Sequence, residues 1–454
     1  MTTSVTERSS WGTRAGFLLA AVGSAVGLGN MWRFSYVAAE GGGAAFVLLY
    51  LLFVALIGIP LMTAEFVVGR LAKVSPIRAL TGLAGPAWRP LGVLYVVAGV
   101  GILSYYGVIA GWTVRYAIDG FRGAIPENTA AYFGLVGTGW PAVAAFVPFL
   151  ALTVAIVVGG VKRGLERTAV LLMPLLFALL VALAIWAATL SGGGRGYGYY
   201  LRPQLAELLN PAVITSAAGQ AFFSLSLGMG ALMTYASYLR SEENLGFEAA
   251  AVAVADFAVA FLSGLVIFPI IFHFGLGPAI GLGGAISDNT VGTLFIALPA
   301  GFRTLGAVGD VVSGAFFVML LLAALTSAIS LLEVPVAAAI DAWGWTRTRA
   351  ALTFGGVTLL AGLPSAFSLE FLDAANKFVG DFLLMVGGFF TALLVGYRIL
   401  PQADAELARG LSHRGARRAW AVFVRYVVPP VLLVVLVFLA GAAIGAIRTL
   451  LGVW

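Results

Sequence analysis

Two stretches decide the fold of this chain: GSAVGLGNMWRF at residues 23–34 and FFSLSLGMGALMTY at residues 222–235. Each places a Gly-x-Gly triplet in the middle of a long apolar run. A pair of interrupted apolar spans in corresponding positions of two halves indicates inverted repeats, with helices 1 and 6 unwound at mid-membrane. The freed backbone groups must be satisfied by ions, solute or water, because lipid offers them no partner. The alternative interpretation is that the glycines only let neighbouring helices pack closely.

The rest of the chain has the composition of a membrane protein. Of its 454 residues, 61% are hydrophobic and only 10% are charged, whereas a soluble domain has about 25% charged residues. This composition excludes a soluble enzyme, a nucleic-acid-binding protein and a disordered chain. Cysteine is absent and only two histidines occur, so disulfides and transition-metal chemistry are not expected.

Polar breaks divide the chain into eleven apolar runs, each long enough to cross a hydrocarbon core about 30 Å thick. We therefore predict an all-α polytopic membrane protein with about eleven transmembrane helices. The predicted spans are 15–37, 44–68, 91–118, 141–158, 166–190, 211–239, 247–273, 308–340, 350–367, 378–400 and 421–447. The Gly- and Pro-rich segment 274–307 is predicted to be an external re-entrant or capping loop. No cleavable signal peptide is predicted, because the first apolar run is long and contains Arg33.

The distribution of Lys and Arg predicts the orientation of the chain in a cell (inner) membrane. With the N-terminus inside, 18 of the 26 basic residues fall on the cytoplasmic side, seven fall outside, and Arg33 lies within the first span. An odd number of spans then places the C-terminus outside.

Ionisable side chains inside apolar runs are the candidate functional residues, because each is costly unless it is paired or functional. Asp256 stands alone in AAAVAVADFAVAFLSG at residues 249–264, and we interpret it as a functional carboxylate. The alternative is a structural carboxylate bonded to backbone donors, and for Glu65 and Glu333 a structural role is favoured. Hydroxyl pairs are found at Ser224 with Ser226 and at Thr326 with Ser327. Such hydroxyls also often bond only to their own helix.

Six motifs, in order along the chain, resemble the neurotransmitter:sodium symporter family and its LeuT fold. They are WGTRAGFLLAAVGSAVGLGNMWRFSYVAAEGGGAAF, IPLMTAEFVVGR, SYYGVIAGW, GQAFFSLSLGMGALMTYASYL, ALTSAISLLEVP and KFVGDF. Eleven spans and the GMG break are most similar to the bacterial multi-hydrophobic amino acid transporters. The resemblance implies one transporter domain over 1–454, with inverted repeats at 11–190 and 211–400 and an extra helix at 421–447.

The resemblance also implies one substrate site and two sodium sites between spans 1, 3, 6 and 8. The first sodium site is expected to use Ala25, Asn30, Ser224 and Asp256, and the second Gly23, Val26, Ala323, Thr326 and Ser327. The substrate carboxylate is expected at the amides of Ala25, Leu28 and Gly29, with the Tyr106 hydroxyl as a donor. The substrate side chain is expected among Ile102, Phe223, Ser226, Gly228, Met229, Ser327 and Leu331.

Two charge pairs and one helix segment are expected to control access to these sites. Arg33 with Asp381 matches an outer gate, and Arg8 with Asp341, near Tyr238, matches an inner gate. Gly164 and Pro174 bracket the cytoplasmic end of span 5, where both residues make local unwinding easier and could admit water to the second sodium site. An ordinary proline kink is the alternative.

The implied function is sodium-coupled import of hydrophobic, aliphatic and aromatic L-amino acids by alternating access, with no enzymatic activity. Two sodium ions, a small-molecule substrate and the lipid bilayer are the expected partners, and nucleic acid is not. Asp256 stands where many relatives have Asn, and Ala260 stands where chloride-dependent relatives have Ser, which predicts chloride independence. Tyr50 and Gln220, however, match chloride-site positions.

Proton exchange at Asp256 is a further hypothesis, since a proton and sodium compete for one carboxylate. A proton-coupled carrier of the same fold and an ion channel are the alternative functions.

Overall fold

The computed structural model describes residues 10–240, 243–276 and 290–451, and every regular element within these ranges is a helix. The helices that build the core are α1 (Arg14–Ala25), α2 (Gly29–Glu40), α3 (Ala44–Ala72), α4 (Pro86–Phe121), α5 (Gly139–Val158), α6 (Val161–Ala188), α7 (Pro211–Ser224), α8 (Ala231–Ala236), α9 (Leu245–His273), α10 (Ala307–Trp343), α11 (Arg347–Phe367), α12 (Leu369–Arg398) and α13 (Arg414–Leu450). Shorter helices at Pro76–Ala84, Thr129–Val136, Gly193–Leu201, Thr290–Arg303 and Leu400–Ala408 lie between them.

The number of spans differs from the predicted eleven because of the two helix breaks. In the described ranges, nine helices are long and apolar enough to cross a membrane, and the α1–α2 pair, bent by 60°, makes ten. The predicted span 211–239 consists of α7 and α8, of 14 and six residues. Neither can cross a hydrocarbon core of about 30 Å on its own. This all-helical chain with two broken helices confirms the predicted fold class.

Both breaks fall where the Gly-x-Gly triplets lie. Helix α1 ends at Ala25, because Val26 has extended backbone angles, and the chain turns before α2 begins in π-helical geometry. Between α7 and α8, positive φ angles occur at Ser226 (54°), Gly228 (75°) and Gly230 (74°). Glycine reaches this region without the steric cost that other residues have. The Ser226 hydroxyl donates to the Ser24 carbonyl at 2.7 Å, so the two breaks touch directly.

Helices α4 and α10 pack against each other along much of their length and flank the two breaks. Polar residues fix where some helices begin: Thr13 accepts from the Gly16 amide before α1, and Asn244 accepts from the Phe247 amide before α9. Side-chain caps of this kind satisfy donors that a helix terminus leaves free. The functional residues therefore lie inside a tightly held helix bundle.

The segment 274–307 is more helical than the predicted capping loop. Residues 277–289 lie outside the described ranges, but Thr290–Arg303 is a helix. The Phe295 ring contacts the rings of Trp112, Tyr116 and Phe133, which explains the helix: its apolar side chains cover α4. Nearby, burial and a hydrogen bond to Asp119 raise the pKa of the Tyr132 phenol to about 12.

Candidate functional site

A buried polar cluster joins the two breaks at the predicted first sodium site. The Asp256 carboxylate accepts from Asn30 Nδ2 at 2.6 Å, from Ser224 Oγ at 2.7 Å and from the Tyr50 hydroxyl at 2.8 Å. The side chains of Asn30, Ser224 and Asp256 are at most 1% exposed. Ala25 ends α1 beside this cluster and lines the adjacent cavity.

The buried polar cluster around Asp256 has the oxygen atoms that a hard monovalent cation prefers. Carboxylate, hydroxyl and amide oxygens are present, but the Asn30 oxygen accepts from the Gly27 amide at 2.9 Å while its NH₂ group faces Asp256. For Asn30 to be a ligand of a sodium ion at this cluster, its amide would have to turn so that its oxygen faces Asp256. A buried carboxylate is costly without a neutralising cation or proton.

A second group of oxygens surrounds Ser327 where α10 meets the end of α1. Ser327 Oγ lies 3.4 Å from the Gly23 carbonyl, 3.2 Å from the Ser24 carbonyl and 3.3 Å from the Val26 carbonyl. The Thr326 hydroxyl donates to the Ala323 carbonyl at 3.0 Å. One serine proton cannot satisfy three carbonyls, so the group has surplus acceptor oxygens, which suit a cation.

A cavity lies between the two oxygen groups. Its lining residues are Ser24, Ala25, Gly27, Gly29, Ile102, Tyr106, Phe223, Ser224, Ser226, Met229, Ser327 and Leu331. The cavity measures only about 20 Å³, which is room for about one water molecule. A large substrate side chain therefore requires Met229 and its apolar neighbours to change rotamer.

Most residues expected at the substrate site line this cavity, and two do not. The Leu28 amide donates to the Tyr106 hydroxyl at 3.2 Å, which places it behind the lining. The Gly228 amide donates to Glu65 at 2.7 Å, so Gly228 lies towards α3. Ser24 and Gly27 line the cavity although they were not expected there. Gly27 belongs to the Gly-x-Gly triplet and Ser24 lies in the last turn of α1 just before it, so closeness to the break was the signal that could have identified them.

The two residues expected to form the outer gate are in contact. Arg33 and Asp381 form an ion pair with Nη2 and Oδ1 2.7 Å apart, and both side chains are less than a fifth exposed, at 14% and 17%. The Arg33 guanidinium also lies over the Phe223 ring, 5.0 Å from its centroid. Because Phe223 lines the cavity, its ring lies between the cavity and the ion pair of Arg33.

The expected inner gate is described only in part. Arg8 lies outside the described residues. Asp341 accepts from the Ser75 amide. The Tyr238 hydroxyl donates to Glu333 at 2.7 Å, and Arg347 pairs with the same carboxylate at 2.7 Å.

The sequence favoured a structural role for Glu333 and did not indicate its pairing with Arg347. The proximity of Arg347 to Glu333 follows from the packing of α10 against α11 and has no local signature.

Helix α6 begins irregularly at the expected release segment. Residues Val161–Glu166 are π-helical, and Pro174 lies within the regular helix that follows. A Cβ atom on Gly164 would lie 2.0 Å from the Ile156 carbonyl, so this close approach requires glycine.

The Glu166 carboxylate, also missed at the sequence level, binds the segment before α1. It accepts from the Gly12 amide at 2.6 Å, the Thr13 amide at 3.0 Å and the Thr13 hydroxyl at 2.8 Å. The start of α6 therefore holds the start of α1.

Comparison with known proteins gives a consistent result over nearly the whole chain. A model of the Sodium:neurotransmitter symporter family matches residues 8–133 and 137–443. The uncharacterized sodium-dependent transporter YhdH of Bacillus subtilis (strain 168) is 34% identical over 450 residues, covering 95% of this chain and 97% of that protein. An uncharacterized sodium-dependent transporter of Haemophilus influenzae is 32% identical, covering 96% and 99%.

A solved structure is similar as well. The crystal structure of MhsT in complex with L-phenylalanine aligns with a TM-score of 0.86 and 40% identity, covering 95% of this chain and 99% of that one. Sodium-dependent nutrient amino acid transporter 1 of Drosophila melanogaster is 26% identical, covering 79% of this chain and 65% of that protein.

Proposed function

Because the chain belongs to the sodium:neurotransmitter symporter family, a family of secondary transporters and not enzymes, we propose that it imports hydrophobic L-amino acids together with sodium by alternating access. The observation that carries this proposal is a single cavity placed between two oxygen groups at the two helix breaks. Solute and ions that bind there share Ala25 and Ser327, so the binding of one favours the binding of the other.

The cavity lining supports a hydrophobic substrate. The side chains of Ile102, Phe223, Met229 and Leu331 are apolar, while the Gly29 amide and the Tyr106 hydroxyl provide donors for a carboxylate. The positive end of the α2 dipole also favours an anionic group. L-phenylalanine bound to MhsT supports the aromatic end of this substrate range. Met229 is unbranched and adapts its shape, so we infer that aliphatic and aromatic side chains, including that of tryptophan, are accepted.

We further propose that two sodium ions drive each cycle. At about 100 mV each ion contributes roughly 2.3 kcal/mol, and a tenfold gradient adds about 1.4 kcal/mol. Two ions thus supply on the order of 7 kcal/mol, which corresponds to about 10⁵-fold accumulation of the substrate.

Chloride independence is supported by the Asp256 carboxylate. This carboxylate accepts hydrogen bonds from the hydroxyls of Tyr50 and Ser224. A bound chloride ion would need these same two donors. Ala260 is buried and has no hydroxyl. The Gln220 amide donates to the Gly29 carbonyl instead. Replacing chloride with gluconate should therefore leave uptake unchanged.

The function is tested with purified protein in liposomes and labelled phenylalanine. We expect concentrative, saturable uptake with a sodium gradient and none when choline replaces sodium. Uptake driven by an acid-outside gradient in choline would favour the proton-coupled carrier. Flux that does not saturate would favour the channel. A competition profile confined to Gly and Ala, or to charged amino acids, would refute the substrate class.

A further inference from the structure

Two buried serines form a hydrogen bond between α1 and α10. Ser24 Oγ donates to Ser330 Oγ at 2.8 Å, and both residues are 1% exposed. They are 306 positions apart in the chain, so the bond joins helices that meet only in the folded protein. The amino acid transport cycle proposed above assigns no role to this bond.

The Ser330 hydroxyl is oriented by its own helix. It donates to the Ser327 carbonyl at 2.8 Å, so its proton is already used and its oxygen is left to accept from Ser24. Residues three apart share one face of a helix, which places Ser330 beside Ser327. Ser327 and Leu331 line the cavity, whereas Ser330 is not part of the lining. The Ser330 hydroxyl therefore holds α1 from outside the proposed substrate site.

Ser24 is held at three points in the last turn of α1. Besides the bond to Ser330, its carbonyl accepts from Ser226 Oγ at 2.7 Å and from Ser327 Oγ at 3.2 Å. The same turn places the Gly23 carbonyl 3.4 Å from Ser327 Oγ. These carbonyls belong to the oxygen group that we propose for the second sodium ion. The position of this turn against α10 therefore decides whether the oxygens converge.

The Ser24–Ser330 bond differs from the attraction that a sodium ion provides. An ion between α1 and α10 holds the two helices together only while it is bound. The serine bond needs no ion, so it also acts on the empty site. The helices are in close contact here, because a Cβ atom on Gly23 would lie 3.1 Å from Thr326 Cβ.

Separating α1 from α10 breaks this bond at a cost. The Ser24 hydroxyl would lose its acceptor, and a buried polar group without a partner destabilises the state that contains it. The bond therefore favours the arrangement in which the last turn of α1 lies against α10. This is the arrangement that brings the acceptor oxygens around Ser327 together.

We propose that Ser330 is a positioning residue for sodium binding: through Ser24 it holds the last turn of α1 against α10 and thereby raises the affinity for sodium without touching the ion. This inference rests on the sodium-coupled function proposed above. When only a fraction of the molecules has the binding geometry, the apparent affinity falls by that fraction. Loss of the bond therefore lowers the apparent sodium affinity.

The test is a sodium titration of phenylalanine binding to the purified full chain. Ser330→Ala should raise the sodium concentration for half-maximal binding about fivefold, the effect of one hydrogen bond. Saturating sodium should restore the wild-type amount of bound phenylalanine. Ser24→Ala removes the same bond from the other helix and should give a similar shift. The double variant should also shift about fivefold and not about 25-fold, because two residues that share one bond are not additive.

The matched control is Ser263→Ala. Ser263 is also 1% exposed, but its hydroxyl donates to the Val259 carbonyl of its own helix at 2.8 Å, so the sodium curve should not change. Unchanged curves in Ser330→Ala and Ser24→Ala would overturn the inference, as would a multiplied loss in the double variant. Lower maximal binding at an unchanged half-maximal sodium concentration would also overturn it. Wild-type binding that needs no sodium would instead overturn the proposed function, and this inference with it.

Discussion

At the scale of single residues, Asp256 offers a test of whether sodium and a proton compete for one site. Its carboxylate is fully buried, and its charge is balanced only by neutral donors. Sodium and a proton are therefore alternative ways to neutralise it. We predict that lowering the external pH weakens sodium affinity in the wild type and that Asp256→Asn removes most of this dependence. The measurement is a sodium titration of amino acid binding at several pH values.

The control for Asp256 is a carboxylate outside the site. Asp373→Asn removes a half-exposed side chain that pairs with Lys377, and the pH dependence should survive. If Asp256→Asn keeps the wild-type pH dependence, Asp256 is structural and the hypothesis of proton exchange at this residue is wrong.

Gly27 gives a second prediction at the residue scale, because it lines the cavity that we propose as the substrate site. A Cβ atom there would lie 2.6 Å from Ser327 Oγ and 3.0 Å from the Tyr106 hydroxyl. Overpacking of this kind costs about 1–3 kcal/mol, so Gly27→Ala should weaken amino acid binding roughly tenfold or more. Gly82→Ala, where no atom lies within 4 Å, is the matched control. A scintillation-proximity assay measures amino acid affinity in both variants. Equal affinities would contradict close packing of the substrate against Gly27.

At the scale of helices, α6 combines a π-helical start with an internal proline. Pro174 cannot donate to the carbonyl one turn earlier, so the segment before it unwinds more easily. We predict that Pro174→Ala slows uptake while leaving equilibrium substrate binding unchanged. Pro148→Ala, which removes the internal proline of α5, should have little effect on either. Loss of binding in a folded Pro174→Ala protein would contradict a role in release.

The contact between α6 and the start of α1 leads to a further prediction at this scale. The Glu166 carboxylate holds Gly12 and Thr13 by three hydrogen bonds, and each charge-assisted bond contributes about 1.5 kcal/mol or more. We expect Glu166→Ala to free the start of α1. A cysteine introduced at the buried Ala20, in a chain without natural cysteine, should then react with a thiol reagent ~tenfold faster.

The matched control for Glu166 is Glu370→Ala, which removes an exposed carboxylate at the start of α12. The labelling rate of the Ala20→Cys reporter should be the same in the Glu370→Ala protein as in the wild type. An unchanged rate in Glu166→Ala as well would mean that other contacts hold α1 in place.

At the scale of the whole molecule, the orientation in the membrane is the prediction. Eighteen basic residues on one side against seven on the other predict a cytoplasmic N-terminus. Eleven spans, reached when α7 and α8 are counted as one broken span beside the ten others, then predict an external C-terminus. Protease digestion of intact cells should remove a C-terminal tag and spare an N-terminal tag. Removal or protection of both tags together would require an even number of spans.

The sequence by itself determined the fold class and marked polar residues within the apolar runs as candidates for the site. Apolar runs must become helices in lipid, and backbone interrupted by Gly-x-Gly must find partners there. The sequence pattern marks Asp256 and Ser224 as candidates, and the resemblance to the symporter family groups them with Asn30. Their proximity in the fold follows the expectation, although their role as sodium ligands stays a prediction.

Only the tertiary structure decided how distant segments meet. Glu166 binds Gly12 across 154 positions, and Trp420 binds Pro60 across 360 positions. The sequence pattern also did not predict where each helix begins and ends. Helix α13 begins at Arg414, before the predicted residue 421, because a helix can extend beyond the hydrocarbon core where its arginines reach water. Local sequence encodes helix formation and breakage through backbone conformation, whereas contacts between helices depend on how all their surfaces pack together.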